Sequence, residues 1–66
     1  MVKEIVLILL LVNGELSLQS FAFKGTVHEC FEYGDKMRIE LATYNNEQNA
    51  WLLNDGSGTW QGFICE

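Results

Sequence analysis

The chain opens with two apolar segments separated by one polar break. Ile5 to Val12 is a continuous run of Val, Ile and Leu, and Asn13-Gly14 follows it directly. A run of about eight residues closed by a turn is typical of a buried strand. Asn-Gly is the strongest two-residue hairpin pattern, because a type I′ turn needs positive φ at both central residues. With Glu15 to Phe23 as the return strand, the N-terminal segment is predicted to form a β-hairpin.

The first predicted strand is apolar on both of its faces. Successive side chains of a strand point to opposite sides, so its residues divide into two sets. One set is Ile5, Leu7, Leu9 and Leu11, and the other is Val6, Ile8, Leu10 and Val12. A single helix covers only one face of a sheet, so one set stays free unless the segment from Trp51 to Phe63 folds back over it. We expect the second set, from Val6 to Val12, to form an interaction surface.

A helix is predicted to follow the hairpin. Thr26 and Glu29 have the spacing of a capping box, in which each side chain binds a free N–H group of the other residue. Apolar or small residues then recur at three- and four-residue spacing, which is one face of a helix. They are Val27, Cys30, Phe31, Gly34, Met37, Leu41 and Tyr44. Gly34 would let the helix approach the sheet closely, and Asn45 to Asn49 would end a helix of about 19 residues.

Two strand candidates remain in the C-terminal third, Ala50 to Leu53 and Thr59 to Cys65. The Gly-rich segment from Asn54 to Gly58 separates them, so this region holds either a second hairpin or one final strand after a loop. The strand that follows the helix should run antiparallel to strand one and lie beside it. The predicted fold is a single α+β domain over residues 1–66, ββαβ(β), with a small antiparallel sheet in the order 2-1-3 and the helix on one face.

Charge limits the partners that the protein can bind. The chain has 66 residues, with nine acidic against four basic ones and a formal charge of −5. Nucleic acids and anionic membranes would repel it, because both are bound largely through Lys and Arg. The acidic residues are scattered and form no run, which is typical of a solvated surface. We therefore expect neither a nucleic acid nor a membrane as partner.

The N-terminus has the outline of a signal peptide, with a cation at Lys3 before an apolar run. Against this interpretation, Glu4 interrupts the positive region, and the run is far shorter than the roughly 20 residues of a membrane span. We expect the mature protein to keep this segment as a strand, to stay in the aqueous phase and to work in the cytoplasm. Secretion is the alternative.

No set of residues has the spacing of a catalytic or metal site. The cluster from His28 to Cys30, even together with Cys65, lacks the two close ligand pairs that zinc prefers. The segment from Asp55 to Thr59 begins like a calcium loop, but Trp60 stands where the sharp turn requires Gly. We therefore predict a non-enzymatic protein with no catalytic residues, metal or cofactor.

The cysteines and the aromatic residues each allow two interpretations. Cys30 lies on the inward face of the helix and Cys65 near the end of the last strand, so we expect them to be neighbours in space. They are either disulfide-bonded or two buried free thiols in a reducing cytosol. Trp51, Trp60 and Phe63 are either core residues or an aromatic interaction site, because Trp is enriched at binding hot spots.

The order of these features resembles that of short uncharacterised proteins encoded by bacteriophages. The shared features are an apolar opening hairpin over Ile5 to Phe23, a helix with Cys30 and then Gly34, and the ending Phe63-Ile64-Cys65. The resemblance implies a binding role, often in host takeover. Our first hypothesis is a module that binds a host or partner protein. The alternatives are a small structural or assembly protein acting as a homo-oligomer, simplest as a homodimer, and an oligomer that sequesters a small ligand.

Overall fold

The computed structural model describes residues 1–66 and contains five strands and one helix. The elements are β1 (Val2–Leu11), β2 (Leu16–Gly25), α1 (Val27–Leu41), β3 (Ala42–Asn45), β4 (Ala50–Leu53) and β5 (Gly58–Cys65). The strands form one antiparallel sheet in the order β2-β1-β5-β4-β3, and α1 packs on one face of it. The predicted α+β class, with its opening hairpin and single helix, is confirmed.

The turn of the first hairpin differs from the prediction. The N–H group of Leu11 donates to the carbonyl oxygen of Glu15 over 2.8 Å, so three residues form the loop where two were expected. Gly14 alone has a positive φ, of 89°, while Asn13 does not. The Asn13 side chain instead accepts a hydrogen bond from the N–H group of Glu15. A three-residue loop with glycine in the left-handed region is the next most common hairpin connection.

The helix begins where the capping box places it and ends earlier than predicted. Thr26 Oγ1 accepts from the N–H group of Glu29 over 3.2 Å, and the N–H group of Thr26 donates to the Glu29 carboxylate over 2.9 Å. At the other end, Ala42 is already extended, with φ −139° and ψ 160°. Asn54 satisfies two carbonyl groups of the last turn, those of Glu40 and Leu41. A residue distant in sequence, through its side-chain amide and its backbone N–H group, therefore caps the end of the helix, which the helical spacing up to Tyr44 did not indicate.

The predicted strand count and strand order are wrong. Ala42–Asn45, in which the residues up to Tyr44 were expected to be helical, forms the edge strand β3, and two hairpins then return the chain to β1. The strand beside β1 is antiparallel to it, as predicted, but it is the last strand and not the one that follows the helix. Asn45 to Asn49, expected only to end the helix, contains the β3–β4 turn, in which Asn49 has a φ of 54°. The second C-terminal hairpin, one of the two alternatives, is present as β4–β5.

The core lies between α1 and one face of the sheet. Its centre is the set of β1 residues that begins with Ile5, and Ile5 and Leu7 have almost no exposed surface. The buried apolar cluster also contains Val2 and Leu9 of β1, Cys30 of the helix, and one residue from each of β3, β4 and β5: Ala42, Leu53 and Trp60. Gly34 is buried against the ring of Phe63, and a Cβ atom there would lie 2.5 Å from two ring carbons. The prediction that Gly34 permits a close approach is confirmed.

Candidate interaction surface

The face of the sheet opposite α1 carries an apolar patch with residues from four adjacent strands. Because the set that begins with Ile5 packs under the helix, the set that begins with Val6 points to the other side. The cross-strand register adds residues from β2, β4 and β5 to it. We call this surface the open face, and it consists of Val6, Ile8, Leu10, Leu16, Leu18, Leu52 and Ile64.

Cross-strand pairs arrange the open face in rows. Leu10 lies between Leu16 of β2 and Thr59 of β5, and Thr59 is paired in turn with Leu52. The next row is Leu18, Ile8 and Gly62, and the third is Ser20, Val6 and Ile64. Because Gly62 has no side chain and open space above it, the middle row ends in a shallow gap beside Ile8. The apolar side chains are therefore contiguous across β2, β1 and β5.

The four residues predicted to form the interaction surface differ in exposure. Val6 is 9% exposed and Ile8 is half-buried, because neighbouring strands flank both. Leu10 is 37% exposed, and Val12 is 82% exposed but lies in the turn after β1. The largest exposed apolar side chains of the open face are instead Leu16 and Leu18, at 66% and 65%, followed by Ile64 at 45%. These three were not among the predicted residues, because the face on which they lie depends on the register.

No segment of the chain covers the open face. The stretch from Trp51 to Phe63 was expected, as an alternative, to fold back over it. It instead extends the sheet sideways as β4 and β5. Most of the apolar surface between β2 and β5 on this side therefore has no partner within the protomer.

The three predicted interaction aromatics lie on the helix side of the sheet. Trp60 is buried, and its ring centroid is 6.5 Å from that of Phe63. Phe63 also contacts the ring of Phe31 edge-on at 6.1 Å. The guanidinium group of Arg38 lies 4.8 Å above the ring of Trp51. Of the two interpretations, these contacts favour core residues over an exposed binding site.

Cys30 and Cys65 are joined by a disulfide, with their Cα atoms 6.3 Å apart. The prediction that they are neighbours is confirmed, and of the two interpretations the structure has the disulfide. Cys30 has no exposed surface, and Cys65 is the cross-strand partner of Ile5. The bond fastens the first turn of α1 to the strand beside the centre of the core.

A pair of carboxylates borders the open face beside Val6. Glu4 and Glu66 are held together by backbone hydrogen bonds in both directions, each 3.0 Å long. A hydrogen bond between their side chains, desolvation and the charge of Glu66 together raise the pKa of Glu4 above its usual value. Two acidic side chains therefore lie at this end of the open face.

The titratable residues elsewhere serve local structure. His28 pairs with Glu32 over 2.8 Å on the exposed side of the helix. Asp55 accepts hydrogen bonds from the hydroxyl and N–H groups of Ser57, and these bonds lower the pKa of the Asp55 carboxyl. This is the β4–β5 turn, not a calcium loop. No three His, Cys, Asp or Glu side chains come close enough together to hold a metal ion.

Two depressions of the surface could receive a small molecule. One, of about 510 Å³, is lined by Met1–Lys3 and by Ala22–Lys24. The other, of about 490 Å³, lies under the C-terminal end of α1 between Glu40, Ser17 and Asp55. In the second, the hydroxyl of Ser57 donates to the carboxylate of Asp55 within the β4–β5 turn, and no histidine lines either depression.

The helix α1 has 15 residues, and the structure contains no helix long and apolar enough to cross a membrane.

The feature with the clearest capacity for binding is the open face. Searches for related proteins found no matching family model, no matching curated protein and no matching solved structure.

Proposed function

We propose that this protein is a non-enzymatic interaction module that binds another protein through its open face. The observation that carries the proposal is the contiguous apolar surface across β2, β1 and β5, which the protomer leaves uncovered. Monomeric proteins rarely expose a contiguous apolar patch of this kind unless it is an interaction site. The acidic pair Glu4 and Glu66 at its border favours a partner with an apolar surface and basic groups at the rim.

The free energy available from covering this surface is large for a chain of 66 residues. Full burial of one Leu or Ile side chain contributes about 1.5–3 kcal/mol relative to leaving it exposed. Leu16, Leu18 and Ile64 are each about half exposed or more. Covering them would therefore contribute several kcal/mol, comparable with the whole stability of a small domain, about 5 kcal/mol.

The resemblance to short phage-encoded proteins extends the proposal to a host protein as partner and the host cytoplasm as the place of action. The disulfide between Cys30 and Cys65 supports the alternative of secretion, because cytosolic thiols are kept reduced. Alkylation of free thiols in intact cells separates the two. Alkylation of both cysteines would support a location in the cytoplasm. Protection of both would support a location in an oxidising compartment.

A second candidate is a structural or assembly protein whose open face is covered by a second copy. A two-fold axis makes one apolar patch complementary to itself, so two open faces could pack directly together. Light scattering on the purified chain, with Ile64→Glu for comparison, tests this candidate. A dimer that Ile64→Glu dissociates would support it.

The proposed function is tested by two variants with similar chemistry on opposite sides of the molecule. Ile64→Glu introduces a charge into the open face, and Ile39→Glu introduces the same charge on the outer side of α1, where the side chain is 64% exposed. A partner is first identified by affinity capture with mass spectrometry, and its binding is then measured with purified proteins. We expect Ile64→Glu to weaken binding at least about tenfold and Ile39→Glu to leave it unchanged. Equal binding by both variants would contradict the proposal.

A further inference from the structure

The two edges of the sheet differ in length. β3 is an edge strand of four residues, whereas β2 is an edge strand of ten. Most residues of β2 are exposed. Natural proteins protect edge strands by keeping them short or by adding charges, prolines or bulges, because a long free edge can pair with another strand. β3 is protected by its length, and β2 is not.

Hydrogen-bond geometry shows which backbone groups of β2 face outward. The N–H group of Leu11 donates to the carbonyl oxygen of Glu15, so Glu15 directs its backbone groups toward β1. Along an antiparallel strand this direction alternates from one residue to the next. The residues that direct N–H and C=O groups toward β1 are then Ser17, Gln19 and Phe21. Those that direct them away from the sheet are Leu16, Leu18, Ser20 and Ala22, and none of these takes part in a turn, cap or side-chain hydrogen bond.

The free part of β2 carries no protective charge. Between Glu15 and Lys24 the sequence has no charged residue and no proline. A register shift near Val2 inserts one extra residue into β2 after Ala22, and this bulge interrupts the regular edge. Leu16–Ala22 is therefore a regular, uncharged edge with a single charge of opposite sign beyond each end.

We propose that β2 pairs antiparallel with β2 of a second copy of this chain, about a two-fold axis that passes through Gln19. Gln19 is the centre of Leu16–Ala22, so this register places Leu16 opposite the copy's Ala22 and Leu18 opposite its Ser20. All of these residues direct their backbone groups outward, so the pairing forms about eight backbone hydrogen bonds.

The charges at the two ends of the free edge favour a second copy of this chain as the partner of β2, and they favour antiparallel pairing. In the antiparallel arrangement, Glu15 of each copy lies opposite Phe23 of the other, one position from its Lys24, so opposite charges are neighbours at both ends of the paired strands. In a parallel arrangement the like charges would lie side by side. Opposite charges across a strand pair are favourable and like charges are not. The edge is therefore complementary to itself in one direction only, although each chain carries a net charge of −5.

Pairing at this edge would join the two five-stranded sheets into one. Leu16 and Leu18 of both copies would lie at its centre, so the two open faces would become one surface with two-fold symmetry. On the helix side, Phe21, which is 42% exposed, would lie opposite Ser17 of the other copy. The inference goes beyond the proposed function and does not depend on it, because edge pairing leaves the open face free for a partner.

The test uses the residue on the two-fold axis. Gln19 is exposed and lies opposite itself in the dimer, so Gln19→Lys and Gln19→Glu each place two like charges together. In sedimentation equilibrium at high micromolar concentration, we expect the unmodified protein to be dimeric. Each variant alone should dissociate at least about tenfold more readily, and an equal mixture of the two should form the heterodimer, since its charges are opposite.

A variant away from the edge separates this dimer from the face-to-face arrangement. Ile64→Glu lies on β5 and should leave the edge dimer intact, as circular dichroism of the folded variant and sedimentation would show together. A monomeric unmodified protein, or Gln19 variants that dimerise as well as it does, would overturn the inference. If Ile64→Glu dissociates the dimer and the Gln19 variants do not, the dimer forms through the open face, and this result would also overturn the inference. A different result would contradict the proposed function, namely that Ile64→Glu still binds the partner as well as the unmodified protein does.

Discussion

At the scale of single residues, Gly34 determines how closely the helix lies on the sheet. The ring of Phe63 occupies the space that a side chain at position 34 would need. Phe63 cannot turn away freely, because its ring is packed between those of Phe31 and Trp60. Glycine at this position lowers helix propensity by about 1 kcal/mol relative to alanine, but it permits the close packing.

We expect Gly34→Ala to lower the free energy of unfolding, although alanine is the better helix former. Overpacking of a core costs about 1–3 kcal/mol, which exceeds the gain of about 1 kcal/mol in propensity. The double variant Gly34→Ala with Phe63→Leu should lose less unfolding free energy than the two single variants lose together, since the smaller side chain at position 63 relieves the contact. Urea unfolding measures both. A Gly34→Ala protein more stable than the unmodified one would refute the close contact.

The packing role of Gly34 was predicted from the sequence, whereas the exposure of Leu16 and Leu18 on the open face was not. A small residue on the inward face of a helix has a local meaning that the sequence pattern conveys. The face on which Leu16 and Leu18 lie depends on the register with β1. A shift of one residue would move both to the other side.

At the scale of elements, the disulfide links the only helix to the strand beside β1. Cys30 and Cys65 are separated by 35 positions in the sequence, so the bond closes a loop that contains most of α1 and all of β3 and β4. A cross-link of this length removes much of the conformational entropy of the unfolded chain. The bond is thus expected to contribute strongly to stability in a domain with a small core.

Reduction of the Cys30–Cys65 bond should lower the free energy of unfolding by about 4 kcal/mol, from the entropy of closing a loop of this length. Urea unfolding with and without a reductant measures the change. The double variant Cys30→Ala with Cys65→Ala serves as the control, and its stability should not respond to the reductant. An unmodified protein equally stable in both conditions would show that the bond contributes little.

The helix end shows how one element can be decided by another. The apolar spacing of the helix continues to Tyr44, yet the chain becomes strand at Ala42. Pairing of β3 with β4 and the hydrogen bonds from Asn54 compete with one more helical turn. The β3–β4 pairs join residues 5 to 11 positions apart and the bonds from Asn54 span 13 and 14, and helical periodicity takes no account of such pairing.

At the scale of the whole molecule, the fold has one covered and one uncovered side. The helix and the core lie on one side of the sheet, while the open face and the free edge of β2 remain available. Both available surfaces contain Leu16 and Leu18, one through their side chains and the other through their backbone groups. A single strand therefore contributes both to the proposed partner surface and to the proposed dimer.

Amide hydrogen exchange should show an alternating pattern along β2. The N–H groups of Gln19 and Phe21 bond to β1 and should exchange slowly at all protein concentrations. Those of Leu18 and Ser20 point outward, so they should exchange rapidly in dilute solution and slowly when the protein is concentrated enough to dimerise. Exchange measured by NMR at two concentrations tests this expectation. Rapid exchange of Leu18 and Ser20 at both concentrations would contradict edge pairing.

The sequence alone was sufficient for features that depend on neighbouring residues. The opening hairpin, the capping box at Thr26 and the close approach at Gly34 all follow from local patterns, whereas the second hairpin after Ala50 was one of two alternatives. Turn chemistry and capping act over a few residues, so a short window contains their cause.

Only the tertiary structure decided which side of β1 meets the helix, where α1 ends and which strand lies beside β1. It also packed Trp51, Trp60 and Phe63 on the helix side of the sheet and assembled the open face from four strands. These features depend on pairing between segments far apart in the sequence. Because β1 is apolar on both faces, its own pattern cannot distinguish the buried side from the free one.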